Sequence, residues 1–217
     1  MKIMRFALAC CLLLAMAAPA GAASASAITA DIQKQYESLK GFTADFKQML
    51  KSAATGQVEE REGTISYKKP NLVRWETDTP EKELLLVGKK VVWNYVPSEK
   101  TASKSPLNAV FSSKTMIRFI SGQANLDEDF VVEEQGTEAG LIKLALTPKK
   151  PEPNLVQAFL WVDPQSHMLR SVLIVDFYGN ANKLGLDNIR INPGLSDSLF
   201  EFTPPKGVTV QDNTVSQ

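Results

Sequence analysis

Apolar residues at Ile28, Ile32, Tyr36 and Leu39 recur every three or four positions, so residues 28–39 read as a helix with one narrow apolar stripe, stopped by Gly41. At Phe42 the period drops to two. Phe42, Ala44, Phe46 and Gln48 alternate with Thr43, Asp45 and Lys47, which predicts a strand with one apolar face. The polar stretch 51–62 reads as a mobile connection, and strands then follow closely at 63–68, 72–76, 83–87 and 90–95. Pro70-Asn71 separates the first two of these, and Gly88-Lys89 gives a tight hairpin signal between the last two. Pro106 can open a second helix over 107–122, where Val110, Met116, Ile117, Phe119 and Ile120 make a stripe wider than a surface helix needs. That segment must therefore lie over something apolar. Five more strands are expected at 130–134, 141–147, 155–162, 168–177 and 183–191, divided by proline, Asp-Pro and Tyr-Gly-Asn turns. The pattern is a long antiparallel meander whose faces and edges must be closed or covered. Two helical segments can cap an open barrel but cannot wrap a parallel sheet.

The N-terminus changes the setting. Lys2 and Arg5 precede an apolar run over residues 6–18, and small residues follow, the layout of a secretory signal peptide. Competing A-x-A sites place the mature start between Gly21 and Ile28, giving a leader of residues 1–27 and a single domain over 28–217. The run is short for a membrane span, which takes about 20 apolar residues. Cys10 and Cys11 are the two cysteines of the chain, and both fall inside the leader, where neither has the spacing of a lipidation site. The exported chain therefore has no disulfide and no thiolate, and must be held by an ordinary core. Losing Lys2 and Arg5 takes 24 basic residues to 22 against 24 acids, a net charge near −2. A near-neutral chain is a poor nucleic-acid binder and a poor electrostatic membrane binder.

Chemistry is sparse. His167, the one histidine, sits in the polar turn Asp163-Pro164-Gln165-Ser166-His167, and an exposed turn residue is the expected reading. Asp127, Glu128 and Asp129 read as a solvated loop, and no phosphate loop, nucleophile elbow or zinc motif is present. No cofactor, metal or catalytic residue is expected. What stands out is bulk on strands: Phe46, Tyr67, Trp75, Trp93, Tyr95, Phe159 and Trp161. Side chains filling a barrel and side chains lining a cavity are both consistent with it, and periodicity does not separate the two.

Several segments, in order, resemble the periplasmic outer-membrane lipoprotein carrier family (LolA). They are Phe42-Thr43-Ala44-Asp45-Phe46-Lys47-Gln48, Lys69-Pro70-Asn71-Leu72-Val73-Arg74-Trp75 and the hairpin of residues 88–95. Asp176-Phe177-Tyr178-Gly179-Asn180 and the stretch 200–210, with Phe202-Thr203-Pro204-Pro205, complete the set. The resemblance implies a mainly β fold with some helix: an incomplete antiparallel β-barrel, or half-barrel, covered by a helical lid around a hydrophobic cavity. It implies a monomeric periplasmic chaperone without stable membrane insertion. Such a chaperone takes acylated lipoproteins from an inner-membrane lipoprotein-releasing ABC transporter to an outer-membrane lipoprotein receptor. Lipid contact is then expected at Phe42, Phe46, Tyr67, Trp75, Trp93, Met116, Ile117, Phe119 and Ile120, and partner contact at a loop bearing Leu72 and Val73. The family commonly has an arginine before the proline as a lid latch on lid carbonyls. Here Lys69 stands there, with Arg74 a second candidate for the role; an ammonium lacks the rigid guanidinium fork. A receptor or a lipoprotein sensor of the same fold and an envelope-lipid enzyme are the competing readings, the last depending on His167, Asp163 or Asp176.

Overall fold

The computed structural model describes residues 20–108 and 116–214, with side chains from residue 25 onward. The leader cysteines and Val110 lie outside the described residues. Five strands follow one another as antiparallel neighbours: β1 (Gly41–Lys51), β2 (Val58–Lys68), β3 (Leu72–Thr79), β4 (Glu83–Val87) and β5 (Val91–Val96). β6 (Thr101–Pro106) continues them. A second run consists of β7 (Phe130–Glu138), β8 (Leu141–Pro148), β9 (Gln157–Val162), β10 (Leu169–Val175) and β11 (Ala181–Ile191). The two runs join where β1 pairs with β11, and β12 (Thr209–Asp212) is added beside β6. Among the described residues the result is one twelve-stranded sheet whose edges, β12 and β7, do not pair, so the barrel stays open.

Among the described residues, three α-helices lie on the concave side: α1 (Ala20–Ser38), α2 (Met116–Ile120) and α3 (Leu126–Asp129). Helix α1 lies against β7 and α3, and α2 against β10. The buried stripe of α1 is Ala25, Thr29, Ile32 and Tyr36, continued by Leu39 just after it. Thr29 is buried because its hydroxyl donates to Asp127 on α3 at 2.7 Å, so a polar residue holds a place that an apolar count assigns to the half-buried Ile28.

Three expectations are corrected. Residues 51–62 are not a mobile connection: β1 runs to Lys51, β2 resumes opposite it at Val58, and residues 52–57 turn between them, closed by the Ser52 N–H on the Gln57 carbonyl at 2.9 Å. Strands persist there without apolar alternation because the ladder, not burial, holds them. Pro106 ends a strand, β6, whose polar sequence gave no strand signal. The meander is not wholly antiparallel, since β12 runs parallel to β6. The sheet also has two apolar faces near β4. Leu84 and Leu86 point outward with Trp93 and Tyr95, and residues 200–202 cover them: the Phe202 ring lies 5.5 Å from Trp93 and 5.2 Å from Tyr95. Lys68 and Lys89 each meet Asp197 at 2.6 Å and clip this segment down, holding the Asp197 carboxyl at about 2.

Candidate functional site

Alternate residues of β1, β2 and β3 face the interior, because the strands are registered Phe42↔Tyr67↔Val73 and Ala44↔Ile65↔Trp75. Phe46 packs on Trp75 with ring centroids 5.1 Å apart, and Phe42 on Tyr67 at 5.7 Å. These rings are covered by helix side chains and not by a second sheet. Met116, Ile117, Phe119 and Ile120 of α2 are all buried in the same cluster as Phe42, Phe46, Tyr67 and Trp75, and Phe119 stacks against Phe130 at 5.6 Å. Burial pushes the Tyr67 hydroxyl up to about 12 and the Tyr36 hydroxyl higher still, so both stay neutral within the core.

Along the inward face of β1 the chemistry changes from Phe42, Ala44 and Phe46 to Gln48 and then Leu50 near the β1–β2 turn. Gln48 donates to Asn182 of β11 at 2.9 Å, and Arg61 pairs with Glu59 at 2.6 Å and Glu83 at 3.1 Å. Between this polar rim and Trp75, Met116 and Ile117 lies a cavity of about 280 Å³. A wider cleft of about 900 Å³ adjoins it, bounded by Leu50, Val58, Met116, Ile174, Asn154 and Asp176. The site is thus apolar in depth and polar at its mouth. Arg61, Asn182 and Glu83 were not singled out from the sequence, since an inward polar residue on a strand cannot be told from an outward one without the register.

Helix α1 and the end of α2 are both fastened to the turn 69–71 between β2 and β3. The Lys69 ammonium donates to the Glu37 carbonyl at 2.6 Å and more weakly to that of Tyr36 at 3.5 Å. Helix α1 has no basic residue in its own last turn, so Lys69 supplies the cation that its terminal carbonyls favour. On the same turn, the Gln123 side chain after α2 donates to Asn71 at 2.6 Å and to the Pro70 carbonyl at 3.4 Å, and Tyr67 Oη donates to that carbonyl at 3.0 Å. Gly122, at φ +71°, ends α2 directly on Tyr36: a Cβ there would lie 2.5 Å from Tyr36 Cβ. Gln123 was likewise missed; Gly122 was the expected end of the helix over 107–122, but its seat on Tyr36 was not legible.

Three expected placements do not hold. Trp93 faces outward under Phe202, not into the interior. Arg74 also faces outward and binds the Leu199 carbonyl at 3.2 Å and Glu76 at 2.7 Å, so among the described residues it bonds to no lid helix; its guanidinium holds the Glu76 carboxyl below the usual range. Leu72 and Val73 are in β3 and buried, one beneath Phe200 and one in the interior, not on an exposed loop. His167 lies in its turn with Nε2 3.8 Å from Asp31 of α1. Asp163 spends its carboxylate on the N–H groups of Gln165 and Ser166, which lower its pKa. Among the described residues no cluster of histidine, cysteine or carboxylate side chains could hold a metal ion, and no helix is long and apolar enough to cross a membrane.

Residues 37–203 match the family model described as outer membrane lipoprotein carrier protein LolA. The chain belongs to that family. An outer-membrane lipoprotein carrier protein of Erwinia tasmaniensis is 30% identical over 205 residues, covering 94% of this chain and 96% of the relative. One from Neisseria meningitidis serogroup C is 28% identical, covering 88% and 90%. The LolA fold recurs at much lower identity. An uncharacterised conserved protein of Thermus thermophilus superposes with TM-score 0.58 at 14% identity, covering 87% of this chain and 99% of its own. The lipoprotein LppX of Mycobacterium tuberculosis gives 0.51 at 12% identity, covering 79% and 98%. In this LolA chain the fold is an open sheet whose interior is filled by helix side chains.

Proposed function

We propose that this chain is a periplasmic chaperone that shelters the acyl chains of lipoproteins between an inner-membrane transporter and an outer-membrane receptor, after removal of a leader within residues 1–27. The observation that carries the reading is the plug: the half-barrel's apolar interior is filled by α2 and α1 side chains, which can be exchanged for other apolar matter without breaking the sheet. Fully burying a large apolar side chain is worth about 1.5–3 kcal/mol. The four buried residues of α2 together therefore supply on the order of 10 kcal/mol. Sheltering one acyl chain of ~15 methylenes is worth about 12 kcal/mol at ~0.8 each. The two are close. Cargo that displaces the plug is held by the difference, which is what a carrier that must release needs. Met116, unbranched and polarizable, stands where plug and cleft meet and suits an adaptable contact.

In the mature protein, Ile120→Glu puts a carboxylate at the bottom of this interior, where Ile120 is 1% exposed. Retention of a purified triacylated lipoprotein in soluble complex is expected to fall strongly, and unchanged retention would count against the interior as the acyl site.

A further inference from the structure

Phe177 and Tyr178 are 71% and 78% exposed, at the turn between β10 and β11. Large aromatic side chains left in water are ordinarily mobile tips, but this turn is built rigidly. The Asp176 carboxylate accepts the N–H groups of Tyr178 and Asn180, both at 2.9 Å, and Asn180 in turn accepts from the Ala53 N–H at 2.9 Å. The Phe177 N–H donates to the Pro153 carbonyl at 2.9 Å, which ties the turn to the proline-rich loop between β8 and β9. Between loop and turn lies a groove of about 490 Å³, walled by Pro151, Pro153, Val156 and the two rings and floored by Leu155, itself part of the interior cluster. Groove and cleft lie side by side: Asn154 and Asp176 border the 900 Å³ cleft, and their neighbours in sequence, Leu155 and Phe177, border the groove.

We propose that this groove holds the polypeptide segment that directly follows the acylated residue of the cargo, an inference that rests on the lipoprotein-carrier reading. A residue whose acyl chains enter the interior must itself sit at the polar mouth, and the chain leading away from it must cross the adjoining surface. The groove is that surface. It is concave and of fixed width, which fits an extended chain with intermittent apolar side chains, whereas a lipid surface is met by a projecting tip and, usually, by clustered cations. Rigid aromatic walls contribute contact at little entropic cost.

The test compares two probes: dipalmitoylated glyceryl-cysteine alone and the same lipid amino acid extended by six residues. Both are titrated into the mature protein and into the double variant Phe177→Ser, Tyr178→Ser, with Val156→Ser as an independent groove variant and circular dichroism to confirm folding. The expected result is that the wild type binds the extended probe more tightly, that the double variant weakens it about tenfold or more and Val156→Ser by a few-fold, and that the short probe is unaffected. Equal weakening of both probes would make the groove an acyl subsite and overturn the inference. So would no change in either. Wild-type pelleting with phosphatidylglycerol vesicles that the double variant loses, without any difference between the probes, would assign the surface to a membrane instead. If the wild type binds neither probe, the carrier reading itself fails, and this inference with it.

Discussion

Replacing Gly122 by alanine should tighten the grip on cargo while weakening the empty protein. The added methyl would lie 2.5 Å from Tyr36 Cβ, 2.6 Å from Cγ and 2.6 Å from Cδ1, at the root of a buried side chain that cannot swing away. Overpacking of this kind costs about 1–3 kcal/mol. A second cost, about 1 kcal/mol for a left-handed backbone without glycine, persists wherever the turn persists and does not distinguish states. The overlap with Tyr36 exists only while α2 sits on α1, so displacing the plug relieves it. If cargo binds the displaced state, apparent affinity rises by the factor through which the plugged state is destabilised: about fivefold for 1 kcal/mol and more than tenfold for 2 kcal/mol. The assay is titration of a fluorescent lipopeptide into wild-type and Gly122→Ala protein, alongside denaturant unfolding of both without ligand. Lower stability with tighter binding and slower release is the expected pair. Lower stability with unchanged or weaker binding would refute the competition between plug and cargo.

The latch has its own signature. Lys69→Leu removes the donor to the Glu37 carbonyl, an exposed contact worth about 1 kcal/mol or less, so release to a receptor should change by a few-fold, whereas Lys69→Arg can fork onto the Tyr36 and Glu37 carbonyls and should favour the empty, closed form; stopped-flow transfer of a labelled lipoprotein measures both. The outer clip is electrostatic and should depend on pH. Lys68 and Lys89 hold Asp197 at about 2, below the ordinary carboxylate value, so its contribution is present above about pH 4 and fades as the pH falls toward 2. A difference in melting temperature between wild type and Asp197→Asn should be visible at pH 7, smaller at pH 2.5 and lost only as the pH falls below about 2; a difference that does not shrink in acid would mean that packing of residues 197–202 and not charge is responsible.

What could be read from the chain follows from where each residue's environment is written. The positions Phe42, Ala44, Phe46, Ile65, Tyr67, Val73 and Trp75 alternate with polar neighbours, so their shared face was legible; the resemblance offered Lys69 and Arg74 as donors to lid carbonyls, and only the structure puts Lys69 at the end of α1. Trp93 was misplaced because alternation gives two faces without saying which is inside. The uninterrupted run Leu84-Leu85-Leu86-Val87 did carry the missing signal, since a strand apolar on successive residues is buried on both sides, and Phe200 and Phe202 are what covers the second. β6 and the first half of β2 escaped because Thr101-Ala102-Ser103-Lys104 and Glu59-Glu60-Arg61 are strands held by their ladders near an edge or a polar rim, where no apolar face is required. The join of β1 to β11 pairs residues far apart in sequence, such as Phe46 and Leu186, and no local pattern reports it.

The account's central claim is that cargo acyl chains take the place of the α2 side chains inside the half-barrel. Loading the protein with a lipoprotein whose acyl chain carries a photoreactive group, irradiating the complex and mapping the adducts by mass spectrometry tests this directly. Adducts on Phe46, Trp75, Ile65 or Leu186, with α2 exposed to hydrogen exchange in the loaded form, are the predicted result. Adducts concentrated on Trp93, Tyr95 or Phe202 of the outer face, with α2 as protected as in the empty protein, would contradict it.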